Sequence, residues 1–163
     1  MTPDTPSFVL DFILGLSVDK KWQDWAYRNY TSGHEHESLM ELIVLQQPIN
    51  QFEAKEIVQQ IFTDMKVDAD DVDYWVAQYV RYIESRLTYT SMEDVVKQLF
   101  PLHQLYIDLH LPPVGLQEFY MLYNGLQDLI SDGVQWYHDQ LTEVNYEDVA
   151  RAAFARFRLR KDA

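Results

Sequence analysis

Apolar residues recur at helical spacing through most of this chain, and the clearest run is Asp68–Leu87. There Val72, Trp75, Val76, Tyr79, Val80, Ile83 and Leu87 follow an i, i+3, i+4, i+7, i+8, i+11, i+15 pattern. That is one face of an amphipathic helix. Asp68, Asp70, Asp71 and Asp73 crowd its start, where carboxylates cap free N–H groups and meet the positive end of the helix dipole. Arg81 and Arg86 sit in the half that favours cations. A second stripe runs beside the apolar one: Asp71, Tyr74, Gln78, Tyr82 and Ser85. Tyrosines among acids and amides suit a recognition surface, because the ring supplies contact area and the hydroxyl a polar handle. The plainer reading packs these rings under a neighbouring helix.

The remaining elements follow from the same spacing and from capping residues. Ser7 opens a short helix over Phe8–Leu16, ended near Gly15. Asp19–Tyr30 is a second helix, with Trp22, Trp25, Ala26 and Tyr30 on one side. After the polar break TSGHEHE, Ser38 with Glu41 reads as a capping box for Leu39–Gln47, which Pro48 ends. Asn50 with Glu53 opens another helix, carrying Phe52, Ile57, Val58, Ile61, Phe62 and Met65. Ser91 with Asp94 opens one that runs toward Leu111, with a kink or break expected near Phe100 because Pro101 lies inside it. From Leu116 the apolar phase persists through Phe119, Tyr120, Tyr123, Leu126, Ile130, Val134, Tyr137 and Leu141. It survives Gly125 and Gly133, which predicts one long helix over about 115–141, with SDG (131–133) as its weakest point. Leu122, Leu129 and Trp136 form a second apolar stripe on that helix, either buried centrally or offered for self-association. Asn145 with Asp148 caps the last helix, whose inward side is Tyr146, Val149, Ala153, Phe154 and Phe157. No alternating β pattern and no internal repeat interrupts this series. The expectation is an all-α fold: a single-domain bundle of seven or eight helices over residues 1–163, with a loose N-terminus (1–7) and a basic tail (158–163).

Composition narrows the classes. Hydrophobic residues make up 47% of the chain, enough for a core. The absence of cysteine removes disulfides, thiolate catalysis and cysteine-based zinc sites, and fits a reducing compartment, the cytoplasm. No stretch approaches the roughly 18 uninterrupted apolar residues of a membrane span, and the N-terminal apolar run lacks a basic flank and contains Asp11, so a signal peptide is not expected. The formal net charge is −13, and residues 68–148 hold 15 acids against 3 bases. Such a body repels phosphate, which argues against duplex nucleic acid and anionic membrane, and attracts a basic protein. The five cations after residue 148 belong to the end of the last helix, where they suit its dipole, and are expected to lie against the acidic body or stay solvated.

Catalytic motifs are missing. Five scattered glycines make no GxGxxG, phosphate-binding loop or nucleophile elbow. No Glu-x-x-His or HExxH occurs, and the acidic run near Asp68 fails the calcium-loop test, because Val72 and Tyr79 stand where oxygen ligands are needed. No metal site and no cofactor is expected. His34 and His36, in HEHE, read as a solvated loop. His103, Tyr106 and His110 fall on one helical face, and a domain that binds a ligand or a cofactor such as haem beside them is an alternative function. The histidines stand two turns apart, roughly 10 Å along the axis, too far to share one metal. The commoner role for such a histidine is a hydrogen-bonded place in the core.

The leading expectation is therefore a non-enzymatic, acidic protein-binding module. Its contact residues are Asp70, Asp71, Tyr74, Gln78 and Tyr82, and its partner is a basic protein. In composition the chain is similar to small acidic helical immunity proteins and antitoxins, which neutralise basic toxins. The likeness is one of type, with no shared motif. Self-association through Leu122, Leu129 and Trp136, giving a homo-oligomer or scaffold, is the second alternative.

Overall fold

A computed structural model describes residues 1–161 of the chain, with side chains as far as Arg158. It is all-helical: eight helices and no strands among the described residues. None of these helices is long and apolar enough to cross a membrane. The chain divides into two compact units, Met1–Tyr79 and the part from Val80 onward.

The first unit holds α1 (Thr5–Ile13), α2 (Lys20–Thr31), α3 (Glu37–Val44), α4 (Gln51–Asp64) and the first half of α5 (Val72–Arg86). α1 starts three residues earlier than Ser7 suggests, because Pro6 is pre-set for a first turn. Ser7 instead donates its hydroxyl to Asp4 O at 2.8 Å. Asn50 caps α4 as expected, accepting from Phe52 N at 3.1 Å, and Asp19, read as the first residue of α2, lies just before it as its cap, accepting from Lys21 N at 2.9 Å. The core is an aromatic cluster. Phe8 lies 5.1 Å from Trp22 and 5.3 Å from Trp25, ring centre to centre. The indole N–H of Trp25 donates to the buried Thr5 hydroxyl, so this buried tryptophan leaves no donor unmet.

Two features of α3 depart from the capping-box reading. The helix starts at Glu37, and Ser38 lies inside it, buried, donating its hydroxyl to Asp64 Oδ2 at 2.5 Å. It ends at Val44 rather than Gln47 because the buried amide of Gln23 captures its C-terminal carbonyls. Gln23 Nε2 lies 2.8 Å from Leu45 O and 3.2 Å from Leu42 O and Ile43 O. Carbonyls taken by a side chain from another helix need no further turn to satisfy them.

The second unit holds the rest of α5, α6 (Met92–Asp108), α7 (Leu116–Asp132) and α8 (Tyr146–Lys161). Ser91 caps α6 through Asp94 N, and α6 continues through Pro101 instead of breaking there. Three arginines of α8 meet acids of this unit. Arg151 pairs with Glu147 at 2.7 Å, Arg156 Nε donates to Glu118 at 2.7 Å, and Arg158 pairs with Glu84. Part of the basic end thus lies against acidic side chains; the side chains of Arg160 and Lys161 lie outside the described residues.

The long helix expected over 115–141 is corrected. α7 stops at Asp132, and Gly133 follows in the left-handed region, φ +70°, with its N–H on Leu129 O at 3.0 Å. That is a glycine C-cap, which a residue with a Cβ adopts only under strain. Beyond it, Gln135 organises a fold-back. Its Oε1 accepts from Tyr137 N and His138 N, both at 2.9 Å. Its Nε2 donates to His138 O at 2.6 Å and Leu141 O at 3.0 Å. Leu141 returns, buried, to the face of α7 at Gly125. A Cβ on that glycine would stand 2.8 Å from Leu141 Cδ2. The apolar phase that seemed to continue the helix is shared between a buried Leu141 and exposed Val134 and Tyr137.

Candidate protein-binding surface at the start of α5

α5 begins at Val72, the first residue of the apolar stripe, and the aspartates before it form a structured turn. Asp68 Oδ1 accepts from Asp70 N at 3.0 Å, an Asx-type closure. Asp71 Oδ1 accepts from Tyr74 N at 2.9 Å, filling the N-cap role at the third position of the helix. The indole N–H of Trp75 reaches back to Asp68 O at 2.6 Å, tying the turn to a buried ring. Trp75, Val76 and Val80 are buried, so the apolar stripe does core duty.

On the outer side, Asp68, Asp70 and Asp71 are exposed, and among the described residues no lysine or arginine forms an ion pair with them. Tyr74 is 47% exposed, its ring resting edge-on against Trp75 at 5.0 Å. Gln78 is half-buried one turn further along. Asp70, Asp71 and Tyr74 therefore share one outward surface. Tyr82 falls in the second unit and is engaged locally. Arg86 donates to its hydroxyl and lies over its ring, 5.3 Å from the centre. That contact gives Tyr82 a cationic neighbour.

The other candidate residues are distributed differently. His103 sits in an aromatic stack between α6 and α7, with its ring 5.0 Å from Tyr120 and 4.1 Å from Tyr123. Tyr106 joins through Tyr120 at 4.9 Å. Burial lowers the pKa of His103, and its Nδ1 is buried without a hydrogen-bond partner. His110 lies past the end of α6, exposed, and shares no ring contact or hydrogen bond with the other two. The three residues thus do not converge, and none of the described depressions is lined by them. Leu122 and Leu129 are buried within the second unit, whereas Trp136 lies beyond the end of α7 and is 89% exposed. They form no common stripe. His34 and His36 stack 6.5 Å apart, with the pKa of His34 lowered by burial and by the nearby N-terminal charge. No group of three or more His, Asp or Glu side chains in metal-holding arrangement occurs among the described residues.

The residues that periodicity misplaced most are those of the fold-back after α7. Gly133 next to Asp132 was the available signal, since glycine just past a helical run is the common C-terminal stop.

Compared with protein-family models, with curated proteins and with solved structures, the chain matches none of them.

Proposed function

We propose that this chain is a non-enzymatic protein-binding module whose acidic surface at the start of α5 contacts a basic protein. The observation that carries the reading is the set of exposed carboxylates without cationic partners, Asp68, Asp70 and Asp71, beside the exposed ring of Tyr74. Carboxylates that no internal cation satisfies lose little on meeting a partner's lysine or arginine. A tyrosine beside them adds contact area at small entropic cost. The turn is already ordered by the Asp68 and Asp71 hydrogen bonds, so little conformational freedom is lost on binding. The chain's net charge of −13 would accelerate encounter with a basic surface.

Neutralising a basic toxin, as immunity proteins and antitoxins do, is the function class that fits. A reducing compartment, the cytoplasm, is the location in keeping with a chain free of cysteine.

The test is affinity capture at low ionic strength with mass spectrometry, run in parallel with the native chain and with Asp70→Lys combined with Asp71→Asn. The asparagine preserves the cap while removing its charge. The reading expects a basic protein retained by the native chain and lost from the variant. Equal retention by both would sink it.

A further inference from the structure

We propose that the fold-back after α7 forms a second docking groove, for a cationic segment of another protein that carries a large apolar side chain, with Trp136 as its anchor. The groove encloses about 440 Å³ and is lined by Leu129, Val134, Trp136, Leu141 and Val144, with Glu143 also in its wall. Three of those side chains are strongly exposed: Trp136 at 89%, Val144 at 95% and Val134 at 57%. The chain's other three tryptophans, Trp22, Trp25 and Trp75, are all at most 4% exposed. Apolar surface left in water beside a polar rim marks an interaction site, and tryptophan is the residue most enriched at binding hot spots. The four backbone hydrogen bonds of Gln135 hold the segment in one shape, so the groove exists before a partner arrives.

Charge selects the occupant. No lysine or arginine occurs anywhere between residues 98 and 150, a stretch with eight acidic residues. Asp132, Asp139 and Glu143 are exposed on this segment, and no ion pair engages them among the described residues. An apolar anchor with the Glu143 carboxylate in its wall, on a segment that also carries Asp132 and Asp139, complements a leucine or aromatic side chain flanked by lysines or arginines. A second copy of the chain brings the same negative charge to the contact, and a neutral bilayer offers no net positive charge. The groove lies in the second unit and does not depend on the reading of the α5 surface.

Trp136 reports on its own occupancy, because the other indoles are already buried. The full chain is titrated with a labelled amphipathic leucine–lysine peptide, a leucine–glutamate peptide, a lysine-only peptide of equal positive charge, and phosphatidylcholine vesicles. The expected result is a blue shift of tryptophan emission and reduced acrylamide quenching with the leucine–lysine peptide alone. By anisotropy of the label, Trp136→Ala weakens that peptide by about tenfold or more. Glu143→Gln with Asp139→Asn weakens it by about two- to fivefold at low salt and less at high salt. Far-UV circular dichroism of Trp136→Ala stays native, since the side chain touches solvent. Asp70→Lys with Asp71→Asn leaves this affinity within about twofold, so the two surfaces can fail separately. The inference is overturned by equal affinity of Trp136→Ala and the native chain, or by loss of binding in the α5 variant alone. An equal response to the glutamate peptide or to vesicles overturns it too, as does silence of Trp136 toward every probe. Protection of Trp136 by self-association without peptide likewise overturns it.

Discussion

Replacing Gln135 with alanine should unfasten the fold-back after α7 while leaving α7 intact. The side chain makes four hydrogen bonds to the backbone of residues 137–141. A neutral hydrogen bond contributes about 1 kcal/mol net, and less where water can take its place. The bond from Tyr137 N is exposed, so its loss costs little. The other three are partly buried, which puts the expected loss at about 2–3 kcal/mol. For a chain of this size that corresponds to a fall in Tm of about 4–10 °C. Urea unfolding followed by far-UV circular dichroism should show a lower midpoint at unchanged slope. Amide exchange should show lost protection at His138 and Leu141. Gln135→Glu keeps the acceptor for Tyr137 N and His138 N but removes both donated bonds, so it should lose at least half as much stability. Full stability of Gln135→Ala, within about 0.5 kcal/mol of the native chain and with those amides still protected, would refute the view that Gln135 templates the segment.

The packing and the titrating groups give further tests. Gly125→Ala gains about 1 kcal/mol in helix propensity but forces its Cβ to 2.8 Å from Leu141 Cδ2, a clash costing about 1–3 kcal/mol. The variant should be destabilised by up to about 2 kcal/mol, with less-than-additive loss when combined with Leu141→Ala in a double-mutant cycle. His103 has its pKa lowered by burial, so the unfolded chain takes up its proton first as pH falls. Stability should therefore drop as pH falls below the ordinary histidine value of about 6.5, and NMR titration should place the midpoint of the ring below that value. His103→Phe should remove that component. The Asp64 carboxyl is held below its usual range by the Ser38 hydroxyl first and Gln60 second. Its contribution is present above the unfolded value of 3.8 and fades as pH falls through the lower folded value. Ser38→Ala should move the Asp64 titration upward. Asp71→Ala should cost about 1 kcal/mol through the lost cap, whereas Asp71→Asn should be nearly neutral.

Local chemistry was readable wherever one residue decides one boundary. Asn50 and Ser91 cap the helices they precede, and the apolar stripe Trp75–Val76–Val80 is buried as its spacing implies. Errors arose where a distant side chain decides instead. Nothing near Val44 in the chain says that Gln23 will take the carbonyls of α3, and nothing near Ser38 says that its hydroxyl belongs to Asp64. Periodicity also cannot tell a continuing helix from a segment that folds back and returns one apolar residue to the same face. Leu141 does this against Gly125, where the missing Cβ makes room. For the candidate site, Asp71 and Tyr74 could be grouped from helical geometry alone, whereas Asp70 lies in the turn before the helix. Two things needed side-chain contacts: that Tyr82 would be held by Arg86, and that Trp136 would leave the helix for solvent.

The most direct measurement is the rate of association between the chain and the basic protein it captures, followed by stopped flow across a range of ionic strength. Electrostatic steering raises such rates by about 10–1,000-fold at low salt and is screened over about 10 Å at 0.1 M. For the native chain the account predicts a steep fall in rate with added salt. Asp70→Lys with Asp71→Asn should give a slower low-salt rate and a flatter dependence. A rate that ignores salt, or one that the double substitution leaves unchanged, would contradict it.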